Sequence, residues 1–328
     1  MAEESAVKST VVIPNYNGIA YIKNCLDSLQ QERQETAFQV MVVDNHSTDG
    51  SKEVVSREYP YVKLIAFEEN TGFCKAVNAG IEAADTEYVI LLNNDTTVEK
   101  GFVSELERVM ENHPNAFSAG AKMVDMKNPA IIDDAGDFYC ALGWAFARGT
   151  GKPAENYQKV TEVFSACAGA AIYRKSIFEK IGLFDEMHFA YLEDLDIGYR
   201  AKIYGYRNYF APKAVVHHAG SASSGSRHNA FKVDLSSKNS MYVIYKNMPF
   251  LQQIINFPFV LAGVLVKWLF FVRKGLGKNY ALGIFSGIKR NFTKEAKKHK
   301  VKFRWNHLKY YAGIQWELWK NIITRIYY

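Results

Sequence analysis

Three polar residues, Asn93, Asn94 and Asp95, directly follow the apolar run from Tyr88 to Leu92. An apolar run of this length predicts a buried strand, so the polar residues lie at its carboxyl end, where they can contact a ligand. A carboxylate preceded by two amides offers oxygen ligands of the kind that Mg²⁺ or Mn²⁺ uses when it bridges two phosphates. A capping turn without any ligand is the alternative explanation of the same residues.

A second group of acidic residues, Glu193, Asp194 and Asp196, falls at the predicted start of a helix. Their side chains point in different directions on a helix, so one or two of them can enter a site. Asp196 can pair with Arg200 at i,i+4 spacing, and a carboxylate at the helix start can act as a general base that takes a proton from a hydroxyl. The structural alternative is an acidic first turn that the helix dipole stabilises.

Two adjacent histidines, His217 and His218, end another predicted strand. Neighbouring side chains of a strand point to opposite faces, so one imidazole can complete the coordination of a metal beside Asp95 while the other faces away. Asp44 ends the second predicted strand, where an acidic side chain can accept hydrogen bonds from a ribose or a base. A plain Asx turn explains Asp44 equally well.

The elements that must position these residues alternate between strand and helix over the first hundred residues. This alternation predicts a parallel, doubly wound sheet, in which a ligand binds beyond the carboxyl ends of the strands. All four predicted strands end in polar or small residues, at 15–18, 44–45, 70–72 and 93–95. The sequence therefore predicts one crevice formed by these four ends.

Composition limits the class of protein. The chain has 328 residues, 48% of them hydrophobic and 23% charged, which is typical of an ordered globular protein. The four cysteines are far apart and form no CxxC pair, so we expect neither a zinc site nor a disulfide framework, but a reduced, cytoplasmic protein. The N-terminal residues lack the apolar segment of a secretory signal. Neither GxGxxG nor a P-loop motif occurs, so a nucleotide must be held in another way.

The C-terminal region differs from the rest in charge. From Lys246 onward there are 16 Lys and Arg against two Glu, with four tryptophans among them. An apolar run from Phe257 to Val272, interrupted by Pro258 and Lys267, is shorter than the roughly 20 residues that a span needs, so we expect attachment to the surface of an anionic membrane. Nucleic-acid binding and packing against another subunit are the competing explanations.

The Gly/Ser stretch 219–226 is a candidate mobile loop.

Taken together and in this order, six stretches resemble the inverting family-two glycosyltransferases of the GT-A fold, especially rhamnosyltransferase-like and galactofuranosyltransferase-like bacterial enzymes. The resemblance covers about residues 10 to 224. The matching stretches are "VVIPNYNG", "VVDNHSTDGS", "NTGFCKAVNAGI", "YVILLNNDTTV", "GLFDEMHFAYLEDLDIGYRAKIYGYR" and "AVVHHAGSAS".

The resemblance implies a role for each matching residue. Asp95 would hold a Mg²⁺ or Mn²⁺ ion, with His217 as the further ligand and His218 as the second choice. Asp194 would be the catalytic base. Asn93 stands where the family usually has the first acid of an Asp-x-Asp motif, which weakens a two-carboxylate metal site. The donor pocket would be formed by Pro14, Asn15, Asn17, Asp44, Asn70, Gly72, Phe73, Asn78, Asn93, Asn94 and Glu193.

The implied activity is transfer of one sugar from a nucleoside diphosphate sugar to a hydroxyl of a lipid-linked or cell-surface saccharide. dTDP-rhamnose is the favoured donor and a UDP-hexose the next. A sugar-phosphate nucleotidyltransferase and a catalytically silent membrane scaffold are the alternatives. We expect a donor-binding half (1–100), an acceptor-binding half (101–240) and a helical region (241–328) that attaches to the inner face of the cell membrane, leaving a homo-oligomer through that region open.

Overall fold

The structure is a computed structural model that describes residues 7–220 and 229–327; most of the predicted loop at 219–226 lies outside them. Its strands are β1 Ser9–Asn15, β2 Gln39–Asp44, β3 Lys63–Ala66, β4 Tyr88–Leu92, β5 Thr96–Val98, β6 Ala116–Asp125, β7 Ile132–Asp134, β8 Asp137–Cys140, β9 Trp144–Ala147, β10 Thr161–Val163, β11 Ala170–Arg174 and β12 Arg207–His218. Its helices are α1 Ile22–Glu32, α2 Ser51–Glu58, α3 Phe73–Ala83, α4 Phe102–Asn112, α5 Lys175–Ile181, α6 Glu193–Ile203, α7 Ala230–Asn247, α8 Phe250–Arg273, α9 Gly277–Asn291, α10 Lys294–His299 and α11 Leu308–Tyr327.

The central sheet has the order β10-β12-β6-β11-β4-β1-β2-β3, with β5 beside β12 and β7 beside β6. The four strands β1 to β4 are parallel neighbours. Parallel neighbours need crossover connections, which α1, α2 and α3 provide. The predicted α/β class is confirmed, and the first half of the sheet is parallel as expected.

The second half of the sheet is mixed. β11 lies between β4 and β6 and is antiparallel to both, whereas β12 is parallel to β6. An antiparallel neighbour needs no helical crossover, and residues 126–169 return to the sheet through short strands. The sheet is therefore less parallel than the expected "mostly parallel" arrangement.

Both faces of the sheet are covered, which explains why its central strands are continuously apolar. Val11 and Ile90 pack on one face with α1 and α4, while Val12 and Leu91 pack on the other with α3, α5 and α6. The polar ends of the strands are the positions where this covering stops.

The C-terminal helix α8 has an inverted distribution of side chains. Its polar residues Gln252, Asn256 and Lys267 lie on the stripe that faces the protein, while its large apolar side chains, such as Leu265 and Leu269, are about half exposed. In the described part of the chain, α8 is the one helix that is long and apolar enough to cross a membrane. It begins seven residues before the apolar run that the sequence indicated, with Pro258 inside the helix.

Candidate active site

A cavity of about 390 Å³ opens at the carboxyl ends of the parallel strands. It has the position predicted for the ligand crevice and a volume suited to a small-molecule ligand. The structure brings together nine of the predicted site residues here: Pro14, Asn15, Asn70, Gly72, Phe73, Asn93, Asn94, Asp95 and His218.

The first two strands are tied to the fourth by a series of amide hydrogen bonds. Asn94 Nδ2 donates to Asn15 Oδ1 over 2.7 Å, and Asn15 Nδ2 donates to Asp44 Oδ2 over 2.9 Å. The buried Asp44 carboxylate also accepts from the Ser47 N–H. Gly18 is required here because a Cβ at this position would collide with the Asn94 and Asn15 side chains. Asp44 therefore holds the loops in place and does not line the cavity.

The loop after β3 is held in the same way. Asn45 Nδ2 donates to Asn70 Oδ1 over 3.0 Å and to the Gly72 carbonyl over 3.1 Å, and Asn45 Oδ1 accepts from Thr71 N–H. The cavity wall also includes Tyr16 and Asn45, which belong to the strand ends predicted to form the crevice. The sequence interpretation missed three further lining residues: Phe189, Tyr191 and Lys232.

His218 faces Asp95 because of the strand register. β5 pairs antiparallel with β12, so that His218 lies opposite Thr96, the residue after Asp95. His218 Nε2 is 3.4 Å from Asp95 Oδ1, and His218 Nδ1 is 2.6 Å from Asp133 Oδ2. Burial would lower the pKa of His218, but the hydrogen bonds to Asp133 and Asp95 outweigh it and raise the pKa to about 10.

His217 is not brought to this site. Its Nε2 is 2.8 Å from Glu99 Oε1, because side chains alternate along β12 and His217 therefore projects away from His218. The order of preference expected from the resemblance, with His217 first, is reversed by this geometry. Sequence alone does not fix which of two adjacent residues on a strand faces the cleft.

The Asp95 and His218 pair fits a divalent cation. An octahedral ion with ligands at 2.0–2.1 Å places neighbouring ligand atoms about 3 Å apart, close to the separation of these two atoms. A histidine that binds a metal usually gives its other ring nitrogen to a carboxylate, which is the position of Asp133. A carboxylate, an imidazole and an orienting carboxylate are thus present together.

Asp194 lies at the start of α6, next to this group. Its Oδ1 accepts from the Leu195 N–H over 2.7 Å. Burial raises the pKa of Asp194, and hydrogen bonds from backbone N–H groups offset part of that rise. Asp134 interacts electrostatically with both Asp194 and His218. Asp194 therefore lies near the Asp95–His218 pair, although it is not among the residues that line the 390 Å³ cavity.

The acidic run at residues 133–137 was missed by the sequence interpretation. Ligand atoms of Asp134, Asp137 and Cys167 lie within 4.8 Å of one another, and Asp194 is an electrostatic neighbour of all three. Burial raises the pKa of both Asp134 and Asp137. The sequence "DDAGD" was a visible clue, since three acids in five positions are unusual beside a glycine turn.

The loop before α6 has an unusual backbone. Phe189, Tyr191 and Leu192 have φ of 61°, 68° and 65°, a region that costs energy for residues other than glycine. Asn239 of α7 fixes this loop by donating from Nδ2 to three carbonyl groups. The acceptors are His188 at 3.0 Å, Ala190 at 2.8 Å and Tyr191 at 2.8 Å.

A buried group of charges anchors α6 to α7. Lys246 Nζ is 2.7 Å from Asp185 and 2.8 Å from Asp196, and Asp196 also pairs with Arg200 at 2.9 Å, which confirms the predicted i,i+4 pair. Burial alone would raise the pKa of Asp196, but Arg200 and Lys246 hold it well below its usual range. The C-terminal helix α7 therefore helps to position α6.

Three further predicted donor residues do not line the cavity. Asn17 accepts from the Thr48 N–H, and Asn78 exchanges hydrogen bonds with the Phe184 backbone on the other side of α3. Glu193, the first residue of α6, is buried. Asn17 and Asn78 have structural partners because small polar residues satisfy loop backbone groups as readily as they contact ligands.

Comparison with known proteins identifies the family of the chain. The family model described as "Glycosyl transferase family 2" matches residues 10–182. N-acetylglucosaminyl-diphospho-decaprenol L-rhamnosyltransferase of Mycobacterium tuberculosis is 27% identical over 239 residues, covering 66% of this chain and 77% of that protein. These matches bear out the predicted family resemblance.

Solved structures show the same fold. The mannosyltransferase PcManGT from Pyrobaculum calidifontis, in complex with GDP-Man and Mn²⁺, superposes with a TM-score of 0.53 at 16% identity over 94% of this chain and 86% of that one. GalNAc-T7 with UDP, GalNAc and Mn²⁺ gives 0.60 at 16% identity, over 74% of this chain and 48% of that one. The expected GT-A fold is confirmed.

Proposed function

Since the chain belongs to glycosyl transferase family 2 and is a glycosyltransferase, we propose that it transfers one sugar, with inversion, from a nucleoside diphosphate sugar to a lipid-linked saccharide. One observation supports this proposal: Asp134 is an electrostatic neighbour both of His218, which faces Asp95 at the ends of the strands, and of Asp194 at the start of α6.

The cleft offers two regions for a donor. The loops after β1, β2 and β3, with Tyr16 and Asn45, form a polar and aromatic wall for a nucleoside. Asp95 and His218 would hold Mg²⁺ or Mn²⁺, which would neutralise charge on the departing diphosphate. Asn93 and Asn94 supply amide groups beside the same end for the ribose or the donor sugar.

Asp194 is the proposed base. It takes the proton of the acceptor hydroxyl, and the hydroxyl oxygen forms a bond to the anomeric carbon from the face opposite the diphosphate. The bond from that carbon to the diphosphate oxygen breaks, and its electron pair leaves with the diphosphate. A carboxylate with a raised pKa accepts a proton more readily, and burial gives Asp194 this property.

The donor and acceptor follow from the relatives. The mycobacterial relative is named as a rhamnosyltransferase acting on a diphosphate-linked lipid. By analogy, dTDP-rhamnose is the favoured donor, a UDP-hexose is the next, and the acceptor is a saccharide on a lipid carrier.

Membrane attachment is proposed from α8. Burial of polar side chains and exposure of apolar ones is the reverse of a helix in water, and it suits a helix whose outer surface contacts lipid. The C-terminal region also combines basic residues with exposed tryptophans, including Trp305 and Trp316, as expected for the headgroup zone of an anionic membrane. The enzyme is then peripheral on the inner face of the cell membrane.

A donor panel tests the proposal. The shift in thermal unfolding temperature is measured with dTDP-rhamnose, UDP-glucose, UDP-N-acetylglucosamine and GDP-mannose, each with and without Mn²⁺. We expect one nucleotide class to stabilise the protein, and to do so more strongly with Mn²⁺. Transfer from that donor to a lipid-linked saccharide, with inverted product configuration, completes the test. If none of the four sugar nucleotides stabilises the protein, the proposal is contradicted. A product that retains the anomeric configuration of the donor would contradict it as well.

A further inference from the structure

Lys267 is a cation on an otherwise apolar helix surface. It lies on the stripe of α8 that faces the protein, at a cavity of about 160 Å³ bounded by Trp144, Leu192 and Ser240. Its Nζ is 5.5 Å from the centre of the Trp144 ring. Within residues 7–220 and 229–327, Lys267 has neither an ion pair nor a hydrogen bond. The Trp144 ring compensates this charge only in part, because an ammonium group removed from water is costly unless an anion joins it.

A second cation approaches the same hairpin. The Arg325 guanidinium lies 5.4 Å from the centre of the Phe146 ring and is an electrostatic neighbour of Lys267. Trp144 and Phe146 are two residues apart on β9 and therefore share a face. Arg325 also lacks an ion pair among the described residues. Two neighbouring like charges repel each other, and a bound anion would remove that repulsion.

The hairpin β8–β9 connects these cations to the acidic group. β8 begins at Asp137, beside Asp194, and ends at Cys140, which pairs with Trp144. Four residues of extended chain rise about 10 Å between these ends. Leu192, which lines the Lys267 cavity, lies directly before Glu193 and Asp194. Because Asp137 lies on the hairpin face opposite to Trp144 and Phe146, Leu192 is the link that brings the Lys267 cavity to the start of the helix that carries Asp194.

From this arrangement we propose that Lys267 and Arg325 bind the phosphate groups of the lipid-linked acceptor, with Trp144 packing beside them. The proposal rests on the acceptor class given under the proposed function. A diphosphate between a saccharide and a lipid chain lies where sugar and membrane meet, and α8 presents its cation to the protein side and its apolar side chains to the outside. Anionic phospholipid headgroups are the other source of the same chemistry.

Vesicle binding distinguishes these sources without requiring turnover. Binding of the full chain is measured to phosphatidylcholine vesicles that carry either polyprenyl diphosphate or phosphatidylglycerol at equal surface charge. We expect about tenfold tighter binding to the diphosphate vesicles, since charge-assisted hydrogen bonds contribute on that scale. Lys267→Gln should remove this preference and Arg325→Gln should reduce it. Lys274→Gln, a control on the exposed end of the same helix, should keep it.

Each other result overturns the proposal. If Lys267→Gln binds diphosphate vesicles as the wild type does, Lys267 does not contact the phosphates. If it loses phosphatidylglycerol binding in equal proportion, the anion is a headgroup. If it loses plain phosphatidylcholine binding as well, Lys267 only supports the helix. Lys267→Arg should preserve the preference, and an unchanged unfolding temperature excludes misfolding. Because no donor is present, failure of sugar transfer does not affect this measurement.

Discussion

At the level of single residues, the environment of Asp194 combines burial, a helix start and neighbouring carboxyl groups. The helix N-terminus stabilises a negative charge, whereas burial and the nearby acids oppose it. The rise in the pKa of Asp194 means that burial outweighs the helix start. The raised pKa makes the ionised Asp194 a better proton acceptor than an ordinary aspartate.

Asp194→Asn should abolish most turnover and leave donor binding intact. The amide cannot accept the proton, and loss of a general base typically costs about 10² to 10⁴ in rate. The checks are kcat and the stabilisation by nucleotide sugar. Asp85→Asn, at an exposed acid outside the cleft, is the control and should change neither. If Asp194→Asn retains the kcat of the wild type, Asp194 is not the general base.

Turnover should depend on pH through the same carboxyl group. Since the raised pKa belongs to an acid that must be ionised to work, the rate should fall as the pH drops through that pKa, above the range of an ordinary aspartate. The measurement is kcat against pH at saturating donor and acceptor. A rate that stays level until the pH reaches the range of an exposed carboxylate would contradict it.

The two histidines form a matched pair for testing the metal site. His218→Ala should raise the Mn²⁺ concentration needed for half-maximal activity by about tenfold or more, because a ligand is lost, and Asp133→Asn should do so by about 10- to 100-fold. His217→Ala removes a contact with Glu99 and should leave the Mn²⁺ requirement unchanged. Equal effects of the two alanine variants would exclude His218 as the specific ligand.

At the level of elements, the loop before α6 is strained and is held by a helix from the C-terminal region. Arg290 of α9 donates to Asn239 Oδ1 and to the Met187 carbonyl, so two helices together fix the loop that delivers Asp194. Strain of this kind persists only where surrounding contacts determine the backbone. The C-terminal helices thus contribute to the site although they lie outside the family match.

Asn239→Ala should lower both stability and turnover. Three loop carbonyls lose a buried donor, and buried polar groups without partners cost about 1–3 kcal/mol each, so the free energy of unfolding should fall by about 2–4 kcal/mol. Denaturant unfolding measures the loss, and kcat should fall more than the donor KM changes. Asn279→Ala on α9, where the side chain has no hydrogen-bond partner among the described residues, is the control. A stable, fully active Asn239→Ala protein would contradict this role.

The sequence predicted the long elements better than the short ones. The strands β1, β2 and β4 and the helix from Glu193 stood out because apolar residues repeat with strand or helix spacing over five or more positions. β7 and β8 have three and four residues, too few for a period, so Asp134 and Asp137 went unnoticed. The choice between His217 and His218 depends on pairing with β5, a contact distant in sequence.

At the level of the whole molecule, most of the exposed large apolar side chains in the described part of the chain belong to the C-terminal region. The catalytic part covers both faces of its sheet, while α8, α9 and α11 leave large side chains such as Phe285, Trp316 and Ile326 mostly exposed. Exposed apolar surface of this extent indicates an interface. The charge excess of the same region favours a negatively charged lipid surface as the partner.

Replacing outward leucines of α8 should detach the protein from lipid. The double variant Leu265→Glu and Leu269→Glu places charges on side chains that are 51% and 54% exposed. We expect vesicle flotation to drop by about tenfold or more while the unfolding temperature changes little, because no buried contact is lost. Val7→Glu, at an exposed position before β1, is the control and should float as the wild type does. Undiminished flotation of the double variant would exclude α8 as the attachment surface.

If α8 rests in the lipid, as proposed, it would also limit how far the enzyme can reach. The hairpin and the helix that carries Asp194 would then stand at a nearly constant height above the bilayer, because both pack against the same C-terminal helices. Only a hydroxyl at that height meets the base. Each sugar added to the lipid carrier moves the terminal hydroxyl of the saccharide farther from the membrane and away from Asp194. The enzyme would therefore add one sugar and then release its product.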